Sequence, residues 1–186
     1  MSDNLPTIQD VFNNFNQLYK LIDLIDNTYK IHNGNYLMKY YQNRGVTLRE
    51  IFTNDMLNWL CYLGWGDGNI DVNEVQFIND LLNLDLTQLD VLDIVKNLNM
   101  DILTTLPLTF AIFMEFIEVS GTDVDGDKFI QSLYSSFAIA GTFLIICDGD
   151  IHENELNGLH GYLGTLERNI KTFDLDSLHD YMLDNI

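Results

Sequence analysis

A short acidic motif occurs twice in this chain of 186 residues, and its side chains are of the types that bind cations. The first copy, Asp-Gly-Asn-Ile-Asp-Val-Asn-Glu, ends at Glu74, and the second, Asp-Gly-Asp-Ile-His-Glu-Asn-Glu, ends at Glu155. Several carboxylates within one tight turn can coordinate a divalent cation. The sequence therefore predicts metal ligands in both turns: Asp67, Asp71, Glu74, Asp148, His152 and Glu155.

Each copy also contains residues suited to joining two helices. Gly68 and Gly149 can adopt a positive φ, which lets the preceding helix end and the chain reverse. Ile70 and Ile151 are expected to anchor the two turns in the core. The two copies align when the chain is shifted by 81 residues, which places Glu74 over Glu155. Leucines outside the motif match in the same alignment. We therefore predict two related helix-turn-helix halves.

The motif is similar to the second half of an EF-hand calcium loop, in which Asp-Gly-x-Ile-x-x-x-Glu supplies the last eight positions. The first half does not fit. Its ligand positions would be Leu63 and Trp65 in one copy and Leu144 and Ile146 in the other. Such side chains cannot bind a hard cation, so the motif is not an EF-hand.

The segment from Asp123 to Asp127 matches the first half of an EF-hand loop but not the second half. It has three spaced acids, but Lys128 replaces the turn glycine and Tyr134 replaces the final glutamate. We interpret this segment as a solvated acidic loop.

The repeated acids also have an explanation that needs no metal. A polar residue before a helix and a glutamate three positions later form a capping box, and carboxylates are stabilised at a helix N-terminus. Asp67 and Asp148 precede the caps and have no capping role, which favours a cation. A cation site and a set of helix caps on an acidic surface both remain open.

The sequence contains no pattern typical of a catalytic centre. In the second turn a zinc-protease helix would need a second histidine where Leu156 stands. Nucleophile elbows, phosphate-binding loops and dinucleotide fingerprints are also missing. We therefore expect no enzyme and no organic cofactor. A metal-dependent hydrolase that uses the acidic turns is the remote alternative.

The elements that must position these turns are helices, because apolar residues recur at spacings of three and four. We predict an all-α fold, a compact bundle of about eight or nine helices. An amphipathic first helix is predicted from Ile8 to Tyr29, as one wall of the core or as a dimer seam. Capping boxes predict helices starting after Thr47 and Asp71, and Thr87 caps another.

Residues 129–147 carry no formal charge and are long enough to span a membrane. Their serines and the lack of flanking basic residues favour a buried bundle helix instead. The N-terminal residues lack the pattern of a secretory signal, and Cys61 and Cys147 are expected to be buried reduced thiols. These features predict a cytoplasmic protein.

The chain is strongly acidic, with 28 Asp and Glu against 9 Lys and Arg and a net charge of −19. Such a surface repels nucleic acids and anionic lipid headgroups, which excludes nucleic-acid binding and argues against direct membrane insertion. It attracts divalent cations or a basic protein partner.

Two in-register copies of Asp-Gly-x-Ile-x-x-x-Glu, each between two helices of an acidic all-α chain, resemble the TerB-like tellurite-resistance domains. The resemblance covers residues 47–168. It makes residues 1–46 an N-terminal helical extension and 47–186 the TerB-like helical domain, within one compact unit. The chain departs from the family pattern at Trp65-Gly66, where small alanines are usual, and at His152, where Ser, Asp or Thr is usual.

The resemblance implies a non-catalytic accessory module that binds a divalent cation, calcium first and then magnesium or manganese. It also implies a stress-response role in a complex at the inner face of the bacterial membrane, with an ATPase or co-chaperone as partner. His152 leaves the second turn one oxygen ligand short, and an imidazole ligand would suit a softer ion than calcium. A metal-free acidic adaptor that docks a basic ATPase or secretion component is the alternative function.

Overall fold

A computed structural model describes residues 7–29, 36–120 and 126–176. Within these ranges the chain forms eight α-helices and no strand, which confirms the predicted all-α fold. Short 3-10 helices span Trp65–Asp67 and Met100–Leu103. The α-helices are α1 (Ile8–Tyr29), α2 (Tyr36–Gln42), α3 (Leu48–Gly64), α4 (Val72–Leu82), α5 (Gln88–Lys96), α6 (Leu108–Ser120), α7 (Gly126–Ile146) and α8 (Glu153–Lys171).

Two helical hairpins, α3–α4 and α7–α8, carry the two acidic turns and pack against each other. The first helices of the hairpins, α3 and α7, are in contact along the centre of the bundle, and each also packs on the second helix of the other hairpin. Phe52 and Trp59 of α3 and Phe137 of α7 are fully buried there. This crossed packing brings together turns that are 81 residues apart in sequence.

Helix α1 belongs to the same core. Its apolar stripe at spacings of three and four is buried against α3, α4 and α7, as Val11, Phe15 and Ile22 illustrate. The stripe is therefore a wall of the protein's own core. The helix predicted as part of an N-terminal extension contributes side chains to the one hydrophobic cluster of the bundle.

The two predicted capping boxes form, and the predicted cap at Thr87 is a third capping box. At the start of α3, α4 and α5 the N-cap side chain accepts a hydrogen bond from a backbone N–H of the first turn, and the acid at the third helical position accepts from the N-cap N–H. The pairs are Thr47 with Glu50, Asp71 with Glu74, and Thr87 with Asp90. These local bonds satisfy N–H groups that a helix leaves free at its start.

Two other helices are capped by carboxylates from elsewhere in the chain. Asp55 of α3 accepts hydrogen bonds from the backbone N–H and the hydroxyl of Thr109 in α6, each at 2.7 Å. Glu115 of α6 is fully buried and accepts from the N–H groups of Tyr36 and Leu37 at the start of α2. These contacts tie α2, α3 and α6 together at fixed positions.

Within the described part of the chain, α7 is the one helix that is long and apolar enough to cross a membrane. In its most apolar stretch a third of the residues are buried inside the bundle. Its other face carries Ser132, Ser135, Ser136 and Thr142, whose hydroxyls donate to carbonyls four residues earlier.

We expect Asp55→Ala to lower the free energy of unfolding by about 1–3 kcal/mol, because it removes the two hydrogen bonds that start α6. Urea denaturation followed by circular dichroism measures the change. Asn54→Ala, at the exposed neighbouring position of α3, is the control and should change the value by less than about 0.5 kcal/mol. Equal effects of the two substitutions would contradict a capping role for Asp55.

Candidate functional site

The two acidic turns have the same local geometry. Gly68 and Gly149 adopt φ values of +86° and +84°, as their sequence context predicted. Asp67 Oδ1 accepts a hydrogen bond from the Asn69 N–H at 2.7 Å, and Asp148 Oδ1 accepts from the Asp150 N–H at 2.9 Å. Neither aspartate caps a helix, but each closes its turn, a structural role that the sequence analysis did not assign.

The isoleucines of the two turns differ in burial. Ile70 is 1% exposed and joins the core, as predicted. Ile151 is 54% exposed, so the prediction that it anchors the second turn in the core is wrong. The second turn is held instead by the packing of α7 and α8 and by its own hydrogen bonds.

The glutamates that end the two motifs are both buried, each with 4% of its surface exposed. Glu74 Oε2 accepts a hydrogen bond from the Asp71 N–H at 2.7 Å, and Glu155 Oε2 accepts from the His152 N–H at 3.2 Å. Each glutamate therefore completes the start of its helix with one carboxylate oxygen. The capping interpretation is correct for these oxygens.

The other oxygen of Glu74 has no such partner. Its Oε1 is fully buried and accepts no hydrogen bond in the structure. It lies over Gly64, where an added methyl group would be only 2.9 Å away. Glu155 lies over Gly66 in the same turn, with its Cγ 3.1 Å from the corresponding position. Two glycines on either side of Trp65 thus make room for both buried glutamates.

The carboxylates of the two turns interact across this contact. Burial first, and then the negative charges of Glu155, Asp148 and Asp67, raise the pKa of Glu74 to about 7, although the hydrogen bond from the Asp71 N–H lowers it. Burial also raises the pKa of Glu155, with smaller contributions from Asp67 and Asp148. The fold therefore concentrates four acids from two distant segments at one place, which costs free energy when they are ionised.

The two remaining predicted ligands have other roles. Asp71 Oδ1 accepts from the Asn73 N–H at 2.7 Å as the N-cap of α4. His152 Nε2 lies 3.4 Å from Asp67 Oδ2 and 3.5 Å from Asp150 Oδ2. When protonated, the imidazole pairs with Asp67 of the first turn, so it links the two turns.

Cys147 also lies beside this cluster, which sequence reasoning missed. It is half-buried, not buried as expected. Burial first, and then the charges of Glu74 and Asp148, raise the pKa of its thiol to about 12. The repeat register pairs Cys147 with Gly66, and each interacts with the glutamate of the opposite turn, Cys147 with the charge of Glu74 and Gly66 by packing on Glu155. The sequence gives no signal for this, because the meeting of the two turns depends on how the hairpins pack.

The side chains converge without forming a finished coordination sphere. Among residues 7–29, 36–120 and 126–176, no three His, Cys, Asp or Glu side chains are placed to hold a metal ion as they stand. The buried, unpartnered Oε1 of Glu74 and the carboxylates around it nevertheless fit a divalent cation in their chemistry. To bind a cation, the carboxylate side chains of the two turns would have to move closer to one another. Residues 123–125 of the other acidic segment lie outside the described residues.

No protein-family model, curated protein sequence or solved structure matches this chain.

The acidic cluster predicts an unusual pH dependence of stability in EDTA. Because the pKa of Glu74 rises from 4.5 to about 7 on folding, the native state holds a proton that the unfolded chain has released. The free energy of unfolding should therefore fall by up to about 3 kcal/mol between about pH 5 and 7.5, at about 1.4 kcal/mol per pKa unit.

Urea denaturation at a series of pH values measures this slope. Glu74→Gln should make the slope shallower and stabilise the protein above neutral pH, because the charge of Glu74 is then no longer buried. Asp55 and Glu155, whose pKa values burial also raises, should keep the remaining slope. Glu118→Gln, at an exposed position of α6, should leave the slope unchanged. A slope that is the same in wild type and Glu74→Gln would contradict the assignment of the proton to Glu74.

Proposed function

We propose that this protein is a non-catalytic accessory module that binds a divalent cation between its two acidic turns. Glu74 and Glu155 are the central ligands, and Asp67 and Asp148 add oxygens from either side. The observation that carries the proposal is the buried Oε1 of Glu74, which has no hydrogen-bond partner and belongs to a carboxylate whose pKa is raised by the charges of Glu155 and Asp148 of the other turn.

A buried carboxylate oxygen needs a partner, since leaving it without one costs on the order of 1–3 kcal/mol or more. At low pH, a proton bound to the carboxylate can be this partner. At neutral pH a divalent cation would satisfy the free oxygen and at the same time remove the repulsion among the four acids. The capping bonds do not compete with this, because they use the other oxygen of each glutamate.

Hard oxygen donors favour calcium first and then magnesium or manganese. His152 lies beside the cluster and is paired with Asp67 at 3.4 Å. If the imidazole turned toward the ion it would favour manganese or zinc over calcium. Asp71 is less suited to coordination, because its carboxylate already caps α4.

The resemblance to TerB-like domains agrees with this proposal and suggests its setting. It implies a cytoplasmic stress-response complex at the inner face of a bacterial membrane, with a basic ATPase or co-chaperone component as partner. Here the cation would fix the two hairpins against each other, because its ligands come from both turns. The metal-free adaptor is the alternative if no cation binds.

A thermal melt of the EDTA-stripped protein tests cation binding, with calcium, magnesium, manganese and zinc added in turn. A ligand that binds only the folded state adds about 2.7 kcal/mol of stability at one hundred times its dissociation constant, which raises the Tm by about 5–10 °C for a protein of this size. We expect a rise of this kind that is selective for calcium or manganese. A small rise common to all four ions would indicate charge screening and would contradict the proposal.

Two double variants test the location of the ion. Asp67→Asn with Asp148→Asn should abolish the cation-induced rise while keeping helical content, because an asparagine oxygen can still close each turn. Glu74→Gln with Glu155→Gln should do the same. Asp85→Asn with Glu118→Gln removes two charges at exposed positions outside the turns and should leave the rise intact. An undiminished rise in either turn variant would place the ion elsewhere.

A further inference from the structure

A shallow cleft lies beside the acidic centre, between the end of α3 and the first turns of α8. Its volume is about 290 Å³, and it is lined by Tyr62, Leu63, Trp65, Gly66, Asn154 and Gly158. Trp65 is 40% exposed, which is unusual for so large an apolar side chain. Gly66 joins the cleft to the centre, because the same residue packs against Glu155.

The surface around the cleft combines apolar and acidic groups. Several large apolar side chains on or next to the two turns are exposed to solvent: Trp65, Val72, Ile146, Ile151 and Leu156. The chain neighbours of the lining residues are acidic, since Asp67 follows Gly66 and Glu153 precedes Asn154. Exposed apolar groups next to charges of one sign are typical of a surface that binds a partner of the opposite charge.

We propose that this cleft binds an arginine side chain from a basic, partly apolar segment of a partner protein. The guanidinium would lie against the aromatic rings of Trp65 and Tyr62, with the Asn154 amide oxygen and the nearby carboxylates as hydrogen-bond acceptors. Apolar residues on either side of the arginine would cover the exposed side chains of the turns. This inference goes beyond cation binding and does not depend on it.

The size of the cleft supports a single side chain as the occupant. Small-molecule sites usually enclose most of their ligand in a cavity of about 300–1,000 Å³, whereas this cleft is open and at the lower limit of that range. The absence of a side chain at Gly158 leaves space for a flat guanidinium next to Leu63 and Tyr62, whereas the position over Gly66 is occupied by Glu155. The net charge of −19 would attract a basic segment over a long range.

Two peptides serve as the probe: acetyl-Leu-Arg-Leu-Arg-Leu-amide and the same peptide with citrulline, which has the shape of arginine but no charge. Chemical shifts of ¹⁵N-labelled protein are followed during titration at moderate salt. We expect the arginine peptide to bind about tenfold more tightly than the citrulline peptide. The largest shifts should occur at the Trp65 indole N–H and the Gly66 amide, with Trp59 unaffected because it is buried.

Matched glycine substitutions separate the cleft from general charge attraction. In Gly158→Ala the added methyl would lie 3.5 Å from Leu63 Cδ1, an ordinary contact that fills part of the cleft, whereas at Gly161 of the same helix nothing lies within 4 Å. Both changes favour the helix equally. Gly158→Ala and Trp65→Ala should each weaken binding of the arginine peptide at least fivefold, and Gly161→Ala should not.

If all variants bind the arginine peptide as wild type does, or if the two peptides bind equally, the cleft is not an arginine site. Thermal melts of the same variants with calcium test the cation proposal separately from the arginine proposal. Gly158→Ala and Trp65→Ala leave the four carboxylates in place, so any cation-induced rise in Tm should persist. If Gly158→Ala and Trp65→Ala lose peptide binding but keep the cation-induced rise in Tm, the arginine site is supported. If the wild-type protein shows no cation-induced rise in Tm, only the cation proposal is contradicted.

Discussion

The burial of two glutamates where the helical hairpins cross is the constraint on which the rest of this structure depends. Glu74 and Glu155 each satisfy the start of a helix with one oxygen, and both lie in space provided by Gly64 and Gly66. The hairpins can pack closely only if these carboxylates are accommodated between them. Burial and repulsion at this point oppose folding at neutral pH, and a proton or a cation would relieve that opposition.

Helix capping and cation binding are compatible explanations of the motif. The backbone N–H of the N-cap residue uses Oε2 of each glutamate, and the Oε1 of Glu74 remains unpartnered inside the protein. Capping orients the carboxylate, and its second oxygen then lies buried over Gly64. One residue type at one position can therefore stabilise a helix and offer a ligand to an ion that joins two helices.

The two halves share a backbone geometry but differ in chemistry. Ile70 is buried and Ile151 is exposed, while the N-cap position holds Asp71 in one half and His152 in the other. His152 Nε2 lies 3.4 Å from Asp67 Oδ2 of the first half, so the histidine that removes one oxygen ligand provides a contact between the two turns. Trp65 and the first turns of α8 line the cleft that we propose binds arginine.

The sequence alone predicts the helices, the capping boxes and the two turns, because these depend on contacts within four residues and on glycines that accept a positive φ. It also identified Glu74 and Glu155 through their shared register. Three facts come from the folded arrangement: the two turns meet, Ile151 is exposed, and Gly64 and Gly66 make room for the glutamates. Those facts depend on how α3 and α7 cross, which is set by packing over the whole core and not by any local pattern.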